Sequence, residues 1–172
     1  MTIDSVRADL ATRAPDLQVE EAATSTATVA LAAAAWGVPP GQIAKTLSLR
    51  VGERAVLIVA GGDRRLDNRK IRQTFNGKGR MLDAAEVAAL TGHPVGGVCP
   101  FGLATPLPIY CDRSLQGYDV VLPAGGSFNS VVRITPARLI ELTGAEWVDV
   151  CQAPEPAAGR AGGAVGIESR TP

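Results

Sequence analysis

Apolar and polar residues alternate along the stretch 45–51, and this period of two predicts a β-strand. One face of the strand carries Leu and Val side chains, and the other carries Thr, Ser and Arg. A turn at 52–53 leads into 55–60, a continuous apolar run that is typical of a strand covered on both faces. Lys45 falls on the apolar face of the first strand, where an ammonium has to snorkel to water, find a partner or line a pocket.

Helical spacing and capping residues predict five helices around these two strands. Ser25 and Thr26 offer N-caps for an Ala-rich helix, and Asp83 with Glu86 forms a capping-box pattern. The predicted helices cover 3–13, 26–36, 68–75, 84–91 and 137–143, and further strands are predicted at 17–19, 109–112, 118–122, 130–134 and 147–150. Because strands and helices are interspersed without strict βαβ alternation, we expect an α/β fold of the α+β type, with a mixed sheet surrounded by helices.

The composition is that of one globular domain followed by a different C-terminal segment. The chain has 172 residues, of which 46% are hydrophobic and 20% charged, and this balance suits a single buried core. After Cys151 the sequence becomes rich in Ala, Gly and Pro and loses its hydrophobic periodicity. We therefore expect a single compact domain over 1–151 and a disordered tail over 152–172.

Several classes of protein are excluded by what the sequence lacks. The formal net charge is +0, so the chain is not a globally basic nucleic-acid coat protein. The cysteines lie far apart and His93 is the single histidine, so we expect no metal site, and the absence of a phosphate-binding glycine loop predicts no nucleotide cofactor. We find no signal peptide and no membrane-spanning stretch, so we expect a soluble cytoplasmic protein without a membrane partner.

The stretch 64–80 concentrates positive charge in this neutral chain. It holds seven Lys or Arg residues against the single acid Asp67, a local charge of +6. A solvated helix face is one interpretation, and contact with the phosphates of a nucleic acid is the other. The basic residues are Arg64, Arg65, Arg69, Lys70, Arg72, Lys78 and Arg80.

The glycine-rich stretch 96–102 is the second candidate for function. Three glycines and a proline in seven residues predict a rigid turn with exposed backbone N–H groups, although any tight connection has this composition. Cys99 in this stretch is either a reactive nucleophile or a small pocket-lining residue. The second interpretation is favoured because no His or cation adjacent in sequence lowers its pKa. With one histidine and no nucleophile elbow, a Ser–His–Asp hydrolase is not expected.

Three segments together resemble one family. They are GVPPGQIAKTL at 37–47, TGHPVGGVCPFG at 91–102 and AGGSFNSVVRITPARLIELTGA at 124–145, and they are similar in order and spacing to motifs of the YbaK/EbsC family. These proteins are bacterial trans-editing aminoacyl-tRNA deacylases related to the insertion domain of prolyl-tRNA synthetase. The resemblance covers 1–151 and implies a barrel-like mixed sheet. It also implies hydrolysis of the ester between a wrong amino acid and the 3′ adenosine of a tRNA, often a proline tRNA.

The resemblance also implies roles for single residues. Lys45 matches a pocket lysine that holds the aminoacyl-adenosine end, and the loop 96–100 matches a GxxxP loop whose backbone amides stabilise the oxyanion. The implied catalytic residues are Lys45, Gly96, Gly97, Val98, Cys99 and Pro100, and the implied substrate-binding residues are Phe101, Gly102, Gly125, Gly126, Ser127 and Asn129. The seven basic residues of 64–80 become candidate contacts to the tRNA acceptor end. Relatives often carry Ser, Thr or Pro where Cys99 stands.

Two classes of function remain open at this point. The first is an enzyme that hydrolyses mischarged tRNA, with water activated or positioned by the 2′-hydroxyl of the substrate, which would account for the missing base, triad and metal. The second is a non-catalytic module that binds aminoacyl-tRNA or regulates an aminoacyl-tRNA synthetase with the same pocket. The sequence does not say which amino acid is removed, because small apolar pockets separate similar side chains weakly. Alanine, cysteine and other small residues on proline tRNA are the first candidate substrates.

Overall fold

The computed structural model describes residues 2–153 and contains five α-helices within them. They are α1 (Thr2–Arg13), α2 (Val29–Trp36), α3 (Asn68–Phe75), α4 (Ala84–Thr91) and α5 (Pro136–Thr143). The predicted capping box of α4 is present, because Asp83 accepts a hydrogen bond from the N–H of Glu86 and Glu86 accepts one from the N–H of Asp83. None of the helices within 2–153 is long and apolar enough to cross a membrane.

Eight strands within the described residues form a main sheet and a small two-stranded sheet. The strands are β1 (Val19–Glu21), β2 (Ile43–Val51), β3 (Arg54–Gly61), β4 (Gly79–Met81), β5 (Ile109–Asp112), β6 (Leu122–Pro123), β7 (Ser130–Val132) and β8 (Glu146–Val148). The main sheet has the order β4-β2-β3-β5-β8, with β6 also paired to β2, while β1 pairs with β7. Antiparallel β2–β3 and parallel β3–β5 and β5–β8 pairs make the sheet mixed. The α/β prediction is therefore confirmed, but the sheet does not close into a barrel.

Apolar side chains cover both faces of the sheet. One cluster packs α1, α5 and β5 together and contains the fully buried Val6, Leu115 and Leu139. A second cluster lies where α3 meets β2 and β3, with Ile71 buried against Ile58. A third cluster, which holds α2 against β6 and β7, is described with the site below. Burial of such side chains stabilises the fold by about 1.5–3 kcal/mol each in free energy of transfer.

The outer edge of β2 is covered at both ends and open in the middle. β6 pairs with residues 43–44 and β4 with residues 49–51, and the N–H of Leu82 donates to the carbonyl of Ser48 at 3.0 Å. Between them, residues 45–47 have no strand partner along this edge among the described strands. We call this stretch the β2 gap. It spans about 13 Å from Ala44 to Ser48 at about 3.3 Å per residue.

Some predicted elements differ from the structure. The N-cap of α2 is Thr28, so the expected cap at Ser25 or Thr26 is wrong. The strand predicted at 118–122 shortens to β6, because a 3-10 helix over Arg113–Gly117 occupies the preceding residues and Tyr118 closes it. β4 was not predicted, since three residues give no periodic signal. The tail expected from 152 onward lies, apart from its first two residues, outside the described residues.

Candidate active site at the gap in the sheet

A cavity of about 270 Å³ lies at the β2 gap. One end is enclosed by the third apolar cluster, in which Ile43, Leu122 and Val131 are buried. Met81 and Val95, which also line the cavity, are 53% and 66% exposed and mark its open side. Among the described residues that line it, Lys45 is the single charged one, and no Asp, Glu, His or Cys is present. The cavity therefore offers no carboxylate or imidazole that could act as a general base for the hydroxyls in its described lining, such as those of Ser48 and Ser130.

The predicted glycine loop forms one wall of this cavity. Gly96 and Val98 line it, and Gly96 has the positive φ of 97° that glycine tolerates. The N–H of Gly97 donates to the carbonyl of Pro94 at 2.9 Å, so this N–H closes the turn and is not free for a substrate. The N–H groups of Gly96 and Val98 have no hydrogen-bond partner within residues 2–153. These two N–H groups, at the cavity wall, are the candidate donors to a ligand.

The two predicted glycine-rich segments touch each other. A Cβ placed on Gly97 would lie 2.8–2.9 Å from main-chain atoms of Ser127, so only glycine fits there without displacement. A Cβ on Gly125 would likewise lie 2.7 Å from a methyl group of Val19. Of the segment 124–131, however, Ala124, Ser130 and Val131 line the cavity, and the predicted residues Gly125, Gly126, Ser127 and Asn129 are not among its lining residues. The segment supports the loop by packing.

The polar groups of this supporting turn bond to one another. Ser127 Oγ lies 2.9 Å from Asn129 Oδ1 and 2.8 Å from Ser130 Oγ, and the N–H of Ser127 donates to Ser130 Oγ at 3.1 Å. Asn129 Nδ2 donates to the carbonyl of Ala22 at 3.0 Å, which ties the turn to the chain after β1. The turn therefore has a structural role in the described geometry.

Lys45 lines the cavity and is half-buried, and its ammonium has found partners. It donates to the carbonyls of Gly62, at 3.4 Å, and Arg64. An ammonium has three donors, so one remains for a ligand. Burial lowers the pKa of Lys45, while the nearby Cys151 and Asp63 oppose the shift. Of the three interpretations given by the sequence, the structure supports both pairing and lining of a pocket.

Cys99 is buried behind the loop, beside the one histidine. Its Sγ lies 3.7 Å from His93 Nε2, and His93 Nε2 donates to the carbonyl of Phe101 at 2.7 Å. A carbonyl only accepts, so Nε2 carries the proton and Nδ1 does not. Burial lowers the pKa of His93 and raises the pKa of Cys99 to about 12, so both groups are neutral. This pair does not form the thiolate that a nucleophilic cysteine needs.

The sequence and the fold have known relatives. Residues 23–142 match the family described as the aminoacyl-tRNA editing domain. The chain belongs to this family. A Bacillus subtilis protein called YwhH is 47% identical over 88% of this chain and 98% of its own length. EbsC of Enterococcus faecalis, named as a proposed Cys-tRNA(Pro)/Cys-tRNA(Cys) deacylase, is 28% identical over 66% of this chain and 71% of its own.

A solved structure has the same fold over nearly its full length. It is described as a proposed trans-editing enzyme for prolyl-tRNA synthetase. It superimposes with a TM-score of 0.83 and 39% identity, covering 88% of this chain and 98% of that chain. The predicted resemblance to the YbaK/EbsC family is therefore confirmed, and the cavity described above belongs to an editing domain.

The remaining predicted residues of the editing domain's glycine loop lie in the protein interior. Phe101 is fully buried in the first apolar cluster, and its carbonyl is the acceptor for His93. The N–H of Gly102 donates to Asp9 Oδ2 at 2.9 Å, and a Cβ there would lie 2.6 Å from the carbonyl of Ser5. Pro100 is also buried. These three residues anchor the C-terminal end of the loop and do not line the cavity.

The seven predicted tRNA-binding residues separate into two groups. Arg64, Lys70 and Arg80 pair with Asp63, Asp149 and Glu86 respectively, and Lys70 also donates to the carbonyl of Cys151. The residues that are exposed and have no ion pair within 2–153 are Arg65, Arg69, Arg72 and Lys78. The basic stretch begins at the carbonyl that Lys45 contacts, so it adjoins the cavity lysine.

Sequence reasoning missed two parts of the cavity. Val29, Ala32 and Trp36 of α2 form its apolar wall, although their sequence resembles any Ala-rich helix. Thr46 of β2 was assigned only to the polar face of a strand. The sequence of α2 did contain one signal, its high alanine content. A helix built from small residues permits close approach of a ligand or of another backbone, so α2 could have been proposed as a cavity wall.

Proposed function

We propose that this protein is an aminoacyl-tRNA deacylase that acts in trans on a mischarged tRNA, with proline tRNA carrying alanine or cysteine as the first candidate. The observation that carries this proposal is the cavity itself. It is small, apolar at its closed end and lined by Gly96 and Val98, whose N–H groups have no hydrogen-bond partner within residues 2–153. Its volume of about 270 Å³ suits an aminoacyl group, while the bulky nucleotide stays at the open side.

The proposed step is a hydrolysis of the ester. Water adds to the ester carbonyl, one of its protons passes to O3′ as the bond between that carbon and O3′ breaks, and the free amino acid and a tRNA with a 3′-hydroxyl leave. The N–H groups of Gly96 and Val98 stabilise the negative charge that develops on the carbonyl oxygen. Because no carboxylate, imidazole or thiol is among the described lining residues, we assign the positioning of the water to the 2′-hydroxyl of the terminal adenosine. The third donor of Lys45 holds the adenosine end.

The basic stretch supports a tRNA as a partner. The similar solved structure described as a proposed trans-editing enzyme for prolyl-tRNA synthetase supports that synthetase as a further partner. We assign phosphate contact to the unpaired Arg69, Arg72 and Lys78, with Arg65 beside them. The paired Arg64, Lys70 and Arg80 already have protein partners. Replacement of Arg69, Arg72 and Lys78 by Ser should flatten the salt dependence of tRNA binding by about 0.7–0.9 log units per lost contact.

A matched triple variant controls this binding experiment. Arg7, Arg133 and Arg138 each pair with an acidic side chain, and their replacement by Ser changes the net charge equally. We expect this control to leave the salt slope nearly unchanged. Equal slopes for the two triple variants would show that the basic stretch is only a solvated face.

The catalytic proposal is tested with proline tRNA charged separately with alanine, cysteine and proline. We expect the purified protein to release at least one of the two wrong amino acids faster than buffer does, and proline slowly. Lys45→Ala and Lys45→Met should each lower kcat/KM by about 10²-fold, the loss of one preorganised contact. Met keeps most of the stem, so full activity of Lys45→Met would show that Lys45 acts by packing alone. Binding of charged tRNA without any release would favour the non-catalytic alternative.

A further inference from the structure

The β2 gap exposes the main chain of one residue. Hydrogen-bonding directions alternate along a strand, and the carbonyl of Ile43 faces β3, where it accepts from the N–H of Gly62 at 2.7 Å. The carbonyl of Ser48 faces the other edge, where it accepts from the N–H of Leu82. Odd-numbered residues of β2 therefore direct their N–H and C=O toward β3, and even-numbered residues direct theirs outward. Thr46 is the even-numbered residue at the centre of the gap.

Thr46 also lines the cavity that fills the gap. Neither β6, which ends at Pro123, nor β4, which ends at Met81, reaches it. Its N–H and C=O thus stand at the position where a neighbouring strand would supply one more residue. A strand residue opposite Thr46 would donate its own N–H to the carbonyl of Thr46 and accept from the N–H of Thr46.

An α-aminoacyl group has the two atoms that such a pairing needs. Its α-ammonium is a donor and its carbonyl oxygen is an acceptor, attached to adjacent carbons as in a chain residue. We propose that the aminoacyl group docks in the β2 gap as a single strand residue, with its α-ammonium donating to the carbonyl of Thr46 and its carbonyl accepting from the N–H of Thr46. This inference rests on the proposed function and assigns the part of the substrate that the site recognises.

The described lining of the cavity leaves neutral oxygens as the acceptors for an α-ammonium. No acidic side chain is among its described lining residues, so an α-ammonium that enters has no carboxylate to pair with. The neutral carbonyls of Gly62 and Arg64, which do not line the cavity, hold the ammonium of Lys45, so main-chain oxygens serve this purpose elsewhere in this protein. The N–H of Thr46 then joins those of Gly96 and Val98 around the carbonyl oxygen, which has two lone pairs in the ester and three once water has added.

In this binding mode the protein recognises the α-amino group of the substrate and not its side chain. It holds any small L-aminoacyl group in the same register, and it leaves discrimination between side chains to the closed apolar end. The inference therefore predicts that the enzyme needs a free α-ammonium on its substrate.

The kinetic test uses three esters of the same proline tRNA. Alanyl-tRNA has the ammonium, lactyl-tRNA replaces it by a hydroxyl of similar size, and N-acetylalanyl-tRNA replaces it by a bulkier neutral amide. Each enzymatic rate is divided by the buffer rate of that ester, because the ammonium itself activates an ester. We expect kcat/KM to fall about 10–100-fold for lactyl-tRNA, the loss of one charge-assisted hydrogen bond, and further for the acetylated ester. Equal enhancements for alanyl- and lactyl-tRNA would overturn the inference while the proposed function stands.

A binding test separates the inference from catalysis. The alanyl and lactyl amides of 3′-amino-3′-deoxyadenosine are not esters, and their binding is followed by ¹⁵N NMR of the full chain. We expect the alanyl amide to bind at least 10-fold more tightly and to shift the Thr46 amide resonance. Equal affinities, or a Thr46 resonance that does not move, would overturn the inference even if no ester is hydrolysed.

The variant Thr46→Val distinguishes the main chain from the side chain. Thr46 Oγ1 is buried and has no hydrogen-bond partner within the described residues, so it is the competing recognition group. Valine removes this hydroxyl and keeps the main chain and the shape. We expect the ratio of alanyl to lactyl affinity to stay the same in Thr46→Val, and a collapse of the ratio would assign recognition to the hydroxyl instead.

Discussion

The glycine loop 96–100 and the supporting segment 124–131 pack against each other at the cavity. They use their polar groups in opposite ways. In the first, only the N–H of Gly97 is used to close the turn, and the N–H groups of Gly96 and Val98 stay available at the cavity wall. In the second, the hydroxyls and amides of Ser127, Asn129 and Ser130 bond to one another and to the chain after β1. Similar composition thus gives one segment that can bind and one that supports.

The comparison shows why glycine content alone does not identify a site. Glycine permits close approach of two backbones, and that approach can serve a ligand or another segment of the protein. At Gly97 it serves the contact with Ser127, while the neighbouring Gly96 faces the cavity. The distinction lies in which N–H groups remain without a protein partner, and this is visible only after folding.

Gly97→Ala should break the contact between the two segments and give the largest effect. Its Cβ would lie 2.8–2.9 Å from the main chain of Ser127, so the loop has to move away from the turn. We expect a loss of about 1–3 kcal/mol in the free energy of unfolding and of at least 10²-fold in kcat/KM, measured by thermal unfolding and by deacylation. Gly117→Ala is the matched control, because a Cβ there meets nothing within 4 Å. A Gly97→Ala variant as active as Gly117→Ala would show that the loop position is unimportant.

Ser127→Ala should sharpen the comparison by separating stability from activity. The change removes the hydrogen bonds of Oγ to Asn129 and Ser130 and leaves the cavity lining untouched. We expect a loss of about 1–2 kcal/mol in the free energy of unfolding and a kcat/KM within a few-fold of the original at 25 °C. A large fall in kcat/KM with unchanged stability would instead place Ser127 at the substrate.

His93, which donates to the carbonyl of Phe101 at the C-terminal end of the loop, should make the free energy of unfolding depend on pH. Burial lowers its pKa below the ordinary 6.5, so the unfolded chain takes up a proton more readily than the folded one. The contribution of His93 to stability is therefore fully present above 6.5 and is lost as the pH falls through the lowered value. The difference in thermal midpoint between the original protein and His93→Gln should shrink between pH 7 and pH 5. A difference that is constant over this range would contradict the assignment of a neutral imidazole.

Most of the fold and part of the candidate site could be predicted from the sequence. The fold was predictable from local patterns, whereas the site was predicted from the family resemblance. The helix ends at Asp67, Asp83 and Thr135 were predictable because capping is local, and β2 and β3 because their patterns are long. The roles expected for Lys45 and for the loop came from the resemblance. The β2 gap and the contribution of α2 depend on contacts between separate segments, which no local pattern encodes.

Cys99→Ser should give the smallest effect and tests whether the thiol acts as a nucleophile. The thiol is fully buried with a pKa raised to about 12, and it does not line the cavity. A serine hydroxyl in its place can donate to the carbonyl of Phe101, 3.7 Å from the present sulfur, so we expect kcat/KM within about 3-fold. Native protein should also react slowly with iodoacetamide at pH 8, because little thiolate is present. Loss of activity in Cys99→Ser together with full activity in Lys45→Met would mean that the reaction is covalent and that the backbone N–H groups of the loop are not its main catalysts.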